Sequence, residues 1–347
     1  MNLRIKYHDN LKFMAFIMVI CIHVVATYLY GGVPIKTFSG MFLNIINSIS
    51  RVCIPIFFMV SGVFLYNKKE IEFKKFYINK FINIIVPFLL IATFTFVIEN
   101  RYNLNFIVLK EFIKSILQQT YTFHFWYVYA LIQILLLSPF LSKIVHSSSK
   151  EELIILIFIL FLGTCFINSI DDLILLLKKS LHMELFPNIF GYIGYTFLGY
   201  YLANNDITKK QYNSILIIGF LSLIYTIGCT FYISDYLTFE TFNKYNTVNV
   251  LLSSIAIFLL FKKIFNKQYF FTGFTKFTYF GYLVHMLFLN FFVYRFNLIN
   301  PVTGFVSIVI NVIMGVMCTA TASLCFGYLY YVFDDKIKSI TKYKQKN

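Results

Sequence analysis

The sequence predicts an all-α polytopic membrane helical bundle of about ten transmembrane helices, with the N- and C-termini cytoplasmic. Three observations carry that prediction. The 347 residues are 59% hydrophobic and 20% aromatic but only 13% charged, where a soluble domain holds about 25% charged residues. Apolar runs of roughly 18 to 25 residues recur along the chain, each long enough to cross a ~30 Å hydrocarbon layer. The Lys and Arg residues cluster in short stretches between those runs.

The expected spans fall at about 11–30, 42–66, 81–98, 125–142, 153–170, 186–203, 214–233, 248–265, 277–294 and 303–332. The first, "LKFMAFIMVICIHVVATYLY", follows Arg4 and Lys6 and so mimics a secretory leader. Its length, its histidine and the lack of an A-x-A site favour an uncleaved span. The second holds Arg51 and Pro55. The segment 104–117 after the third span carries Lys110, Glu111 and Lys114, and reads as an interfacial helix. The fourth opens beside Trp126, the single tryptophan. The sixth contains "GYIGYTFLGYY", whose small residues are spaced for close helix packing. The ninth carries His285 about midway, with Gly281 one turn before it on the same face.

Orientation follows from counting cations. With the N-terminus inside, cytoplasmic segments hold 21 Lys and Arg and the opposite side holds 9, counting Arg51. The positive-inside rule then places both ends in the cytoplasm. No internal repeat or low-complexity segment interrupts the pattern. A single integral membrane domain over residues 1–347 is expected, with no separate soluble domain.

The net charge of +15 would point to nucleic acid in a soluble protein, but its placement between apolar runs argues for a lipid bilayer as partner and no nucleic acid. The six cysteines lie mostly inside apolar segments without C-x-x-C spacing, so they read as small buried hydrophobes. No G-x-G-x-x-G, P-loop, H-E-x-x-H or G-x-S-x-G occurs, and no metal is expected.

Four stretches carry the ionisable groups that matter. In "YHDNLKFMAFIMVICIH" a helix places Asp9, Lys12, Phe16, Val19 and His23 on one stripe, because eleven residues return to within about 20°. Lys12 then lies near the cytoplasmic surface and His23 roughly 16 Å deeper. Two readings of His23 are open: a functional group, or a neutral histidine donating to a carbonyl of a neighbouring helix. In "SRVCIPIFFMVSGVFLY" Arg51 keeps its charge and needs a carboxylate, a phosphate or water, unless it snorkels to headgroups. Pro55 removes a backbone donor and is expected to kink this span, while Ser61-Gly62 permits close helix approach. In "FHFWYVYALIQILLLSPFL" Trp126 reads either as an interfacial anchor or, with His124, as part of a site. In "FTYFGYLVHMLFLNFF" His285 lies at mid-depth. His8, His146 and His182 read as flanking or loop residues, and Asp171-Asp172 as solvated loop charges.

Together these stretches resemble the acyltransferase 3 family of integral membrane acyltransferases. The family opens with L-D-x-L-R-G and a histidine eleven residues after that arginine; Asp9, Asn10, Leu11, Lys12, Phe13 and His23 occupy those places. An Arg followed by P-x-F-F-x-x-S-G is met by Arg51, Pro55, Phe57, Phe58, Ser61 and Gly62. An H-x-W…SP stretch matches His124, Trp126, Ser138 and Pro139, and a G-x-L-x-H matches Gly281, Leu283 and His285. The match runs in order from residue 7 to about 295. Within the family the wording is most similar to stand-alone O-acetyltransferases of surface polysaccharides, of the enterobacterial common antigen type. One departure stands out: the first-span arginine is Lys12 here, which keeps the charge but not the planar fork that grips phosphate bidentately.

The resemblance implies acyl transfer, most commonly acetyl, from coenzyme A to a hydroxyl of a cell-surface polysaccharide or its lipid-linked precursor, in the bacterial cytoplasmic membrane. It implies His23 and Arg51 as catalytic residues, the first as base and the second as stabiliser of charge on donor or oxyanion. Lys12, Asp9 and Ser61 are then expected to bind acetyl-coenzyme A, and His124, Trp126 and His285 to contact substrate. The alternative is a transporter or flippase of a glycan or lipid-linked sugar, which ten spans with buried His and Arg would also describe.

Overall fold

A computed structural model describes residues 6–179, 183–235, 237–267, 269–296 and 304–344; His182 lies outside the described residues. Among these the regular structure is helical throughout. The helices are α1 (Lys6–Tyr30), α2 (Phe38–Ser50), α3 (Cys53–Leu65), α4 (Phe73–Glu99), α5 (Phe106–Leu117) and α6 (Phe123–Ser147). They continue with α7 (Lys150–Leu176), α8 (Asn188–Asn204), α9 (Lys209–Ile233), α10 (Val248–Ile264), α11 (Thr278–Phe296) and α12 (Phe305–Lys344).

Every predicted span contains a helix, but seven helical stretches among the described residues are both long and apolar enough to cross a bilayer. They are α1, the α2–α3 pair Phe38–Leu65, α4, α6, α7, α9 and the Phe305–Phe333 part of α12. The other three fall short in length: α8 and α10 have 17 residues each, and the apolar part of α11 is Thr278–Val293. Pro187 sets the start of α8, and Lys262 and Lys263 close α10. The chain is a multi-pass membrane protein.

Local chemistry explains the helix boundaries. Thr37 accepts from the Gly40 amide to start α2, and Asn105 accepts from Val108 to start α5. Ser149 with Glu152, and Thr208 with Gln211, form reciprocal capping boxes at the starts of α7 and α9. The second predicted span is broken at Arg51-Val52. Pro55 has no amide hydrogen, so the Arg51 carbonyl one turn earlier loses its usual donor and the ladder opens there. Pro87 acts similarly in α4, where a wider π turn occupies Phe81–Ile85 immediately before it.

Helix α1 sits at the centre, packed against α2, α3, α11 and α12. Leu11, Phe16 and Ile20 on its buried face are completely covered. Helices α3 and α8 approach backbone to backbone. A Cβ on Gly62 would lie 2.0 Å from the Thr196 carbonyl oxygen, and one on Gly199 would lie 2.1 Å from that of Met59. Only hydrogen fits at either position, which is why small residues are spaced along both helices. Helix α5 buries Phe112 against Phe96 in a stacked pair at 4.2 Å, while Phe106, Ile107, Ile113 and Leu117 stay exposed. That one-sided burial is the amphipathic pattern expected of an interfacial helix.

Candidate functional site

The break at Pro55 has a direct consequence for Arg51. Its side chain leaves the end of α2 inside the bundle, where it is only 6% exposed. Nε donates to Asn47 Oδ1 at 3.3 Å, Nη2 stands 3.8 Å from Glu240 Oε1, and the guanidinium lies 5.6 Å from the Tyr245 ring centroid. Arg51 therefore faces protein groups and a cavity, and does not snorkel outward. Burial raises the Tyr245 phenol above its ordinary pKa, with Arg51 opposing, so this tyrosine stays neutral beside the cation.

That cavity is large, about 1020 Å³. Helix α1 contributes His23, α6 contributes Trp126, α8 contributes Tyr192, and the connection before α10 contributes Glu240, Asn243, Lys244, Tyr245 and Asn246. Trp126 stacks on Tyr245 at 5.5 Å and lies 5.6 Å from Tyr192. The lone tryptophan thus belongs to an aromatic wall inside the protein.

Three histidines from three separate sequence stretches meet behind this cavity. The His23 and His285 ring centroids are 5.1 Å apart, and those of His285 and His124 are also 5.1 Å apart. His285 is fully buried, with Nδ1 2.5 Å from the Tyr282 carbonyl oxygen. A carbonyl only accepts, so Nδ1 carries the proton and Nε2 holds a lone pair that has no partner within the protein. His124 is placed by Nε2 at 3.5 Å from the Leu283 carbonyl oxygen, and the Tyr282 hydroxyl donates to the His124 carbonyl. Gly281 makes room for this packing, since a Cβ there would come within 3.0 Å of the Phe16 ring.

A second, smaller cavity of about 260 Å³ lies on the Lys12 side. Lys12, Ser61, Lys80, Thr275, Tyr127 and Tyr282 are in its lining. Lys12 Nζ sits 4.1 Å above the Phe64 ring. Ser61 and Tyr127 share this lining. Asp9 is buried and accepts from Thr275 Oγ1 at 3.2 Å, so it meets the cavity through a wall residue. The two cavities are separated by a short relay of rings. Tyr282 of the small cavity lies 5.3 Å from His285, and His285 lies 5.1 Å from His23 of the large one.

Some expectations require correction. Asp171 and Asp172 are in helix α7, and are not loop charges. Asp172 is 1% exposed and receives Lys244 Nζ at 2.5 Å, while Asp171 lines the large cavity. His8 lies within α1, fully buried against Tyr7 and Phe64. His146 closes α6, with Nε2 2.9 Å from the Tyr66 carbonyl oxygen.

Sequence reasoning missed the segment from Glu240 to Asn246. Its signal was present in "FETFNKYN", which concentrates amides, charges and aromatics between two apolar runs. Tyr127 and Tyr282 were missed for the opposite reason, being tyrosines among 26 in an aromatic-rich chain. Among the described residues no group of three or more His, Cys, Asp or Glu is arranged to hold a metal ion.

Comparison with known proteins gives one finding of broad coverage: a family model described as an acyltransferase domain matches residues 5–332. No curated protein and no solved structure matches the chain.

Proposed function

This chain belongs to the acyltransferase family whose domain model spans residues 5–332, and on that premise we propose that it moves an acetyl group from coenzyme A to a hydroxyl of a surface polysaccharide or its lipid-linked precursor. The observation that carries this reading is the ring relay between the two cavities. Lys12 and Ser61 line one, His23 and Arg51 line the other, and His285 touches both sides.

In this reading the small cavity takes the donor from the cytoplasm. Lys12 and Lys80 meet its phosphates, and Asp9 holds Thr275 in the wall. The large cavity takes the acceptor from the far side of a bacterial cytoplasmic membrane, with Trp126 and Tyr245 against it. His23 removes the hydroxyl proton as the oxygen attacks the thioester carbonyl. Arg51 stabilises the oxyanion that forms. Collapse breaks the carbon–sulfur bond and leaves the new ester, and the departing sulfur of coenzyme A takes the proton from the His23 imidazolium, which gives the free thiol and restores the neutral base. His285 and His124 shape the passage between the two pools.

The test is transfer of radiolabelled acetyl from acetyl-coenzyme A to membrane glycan, in vesicles bearing wild type or His23→Ala. Label with wild type, lost in a folded and inserted variant, supports the reading. Equal label in both removes His23 from the chemistry. Label in neither rules out this donor and acceptor pair.

A further inference from the structure

The cavity around Lys12 is too small for the whole of coenzyme A. At about 260 Å³ it falls below the ~300–1,000 Å³ usual for a drug-sized ligand. Coenzyme A is larger still: a pantetheine arm, a pyrophosphate, and an adenosine with a further phosphate on its 3′ oxygen. Another cavity, of about 440 Å³, lies between the end of α3 and the start of α4, in the loop that the cation count assigns to the cytoplasm. Phe64, Leu65 and Lys80 line both cavities, so the two meet at these residues.

The segment from Asn67 to Lys80 carries five lysines and two glutamates. Lysines in a cytoplasmic loop follow from the positive-inside rule and mark no site by themselves. Two observations go beyond that rule. Lys80 is partly buried within the apolar stretch of α4, at the junction of the two cavities. A cation so placed needs an anion or a water-filled space to face. Among the described residues neither Lys80, nor the exposed Lys68 and Lys75 that line the outer cavity, is ion-paired, although Glu70 and Glu72 share that lining. The segment is also held in place from α6. Ser142 Oγ donates to the Lys68 carbonyl at 2.9 Å, His146 Nε2 to the Tyr66 carbonyl at 2.9 Å, and the Tyr77 hydroxyl to the Leu136 carbonyl at 2.8 Å. The lysines therefore sit on a fixed backbone, which lowers the ordering cost of holding a ligand.

We propose that the cavity between α3 and α4 holds the nucleotide end of the donor, with Lys80 at the pyrophosphate and Lys68 and Lys75 on the adenosine 3′-phosphate, so that the protein distinguishes coenzyme A from its 3′-dephospho form. This rests on the donor half of the reading above, but binding is read without transfer. The three lysines are binding residues in this scheme and take no part in the chemistry.

The test is isothermal titration calorimetry on purified full-length protein in neutral detergent, with coenzyme A, 3′-dephospho-coenzyme A and adenosine 3′,5′-bisphosphate. Wild type should bind coenzyme A about tenfold or more tighter than the dephospho form, the value of a charged hydrogen bond. Adenosine 3′,5′-bisphosphate should displace coenzyme A. Lys68→Ala combined with Lys75→Ala should close the gap by weakening coenzyme A alone. Lys69→Ala combined with Lys74→Ala removes the same charge from the same segment outside the lining, and should leave the gap open. Equal affinity of wild type for the two forms overturns the proposal, as does the same loss in both double variants. An anionic lipid headgroup offers the same phosphate chemistry, so the titrations are repeated with phosphatidylglycerol in the micelles. Unchanged affinity for coenzyme A is expected. Lipid binding that depends on Lys68 and Lys75 and blocks coenzyme A assigns the cavity to lipid and overturns the proposal. If coenzyme A binds with the expected lysine dependence but no acyl transfer is found, the transfer reading fails alone. Equal transfer from acetyl-coenzyme A and its dephospho form removes the nucleotide subsite alone.

Discussion

The imidazoles of His23 and His285 face each other with ring centroids 5.1 Å apart, one from the first helix and one from the eleventh. Only His285 has its tautomer set by a backbone carbonyl, that of Tyr282 at 2.5 Å. If His23 performs the proton transfer and His285 positions it, the two variants should differ in kind. His23→Ala should lower kcat by about 10²–10⁴-fold, the range for a lost general base. His285→Gln should lower kcat less and displace the pH profile, because His23 loses a neighbouring ring. Equal losses with an unchanged profile would contradict this division of roles. Steady-state rates of acyl transfer across pH check it.

Arg51 is buried and touches Asn47, Glu240 and Tyr245 at once. Lysine has one compact ammonium and cannot reproduce that spread. If Arg51 stabilises the oxyanion as proposed, Arg51→Lys should be nearly as inactive as Arg51→Gln, with kcat down on the order of 10²–10³-fold, the range for a lost oxyanion donor. Full activity in Arg51→Lys would show that charge alone suffices.

Lys12 lies over Phe64 in the small cavity. Lys12→Ala should raise KM for acetyl-coenzyme A by on the order of tenfold, the value of a charged hydrogen bond. Lys12→Arg should retain activity, since the guanidinium keeps the charge and its planar fork can grip phosphate bidentately. Initial rates against donor concentration decide this. A fall in kcat with KM unchanged would move Lys12 away from donor binding.

Gly62 allows α3 to reach the α8 backbone at Thr196. Gly62→Ala puts a methyl group 2.0 Å from a carbonyl oxygen, which forces the helices apart. A cost of about 3 kcal/mol is expected from overpacking of this kind. Thermal unfolding in detergent should show a clear drop in Tm for this variant and none for Gly228→Ala, where a Cβ meets open space.

Asp172 is buried under a half-exposed Lys244. Lys244→Ala leaves a buried carboxylate without its cation, so it should destabilise by roughly 2 kcal/mol, below the 3–5 of a fully buried pair. The double variant Asp172→Asn/Lys244→Ala should regain much of that loss. Additive losses in the two single variants and the double would show that the pair is not coupled.

Much of this molecule is readable from local sequence. Each predicted span holds a helix, Pro55 marks the break beside Arg51, and small residues mark the α3–α8 contact. These features depend on neighbours within a turn or two, where 1.5 Å of rise per residue makes spacing a geometric statement. Asp172 was misread because a pair of aspartates beside Leu and Ile looks solvated until Lys244, far along the chain, is brought onto it.

The sequence by itself determined that the chain folds into apolar helices and, to within a few residues, where each of them lies. It did not determine which face of each helix turns inward, because most spans are apolar all round and show no preferred side. Only the tertiary packing brought His23, His124 and His285 together and closed the Glu240 to Asn246 segment over the large cavity. The physical reason is that water drives apolar segments into helices and into lipid, but lateral fit between helices comes from shape and a few polar contacts. Those contacts, such as Arg51 with Glu240 and Lys244 with Asp172, join residues that no local pattern connects.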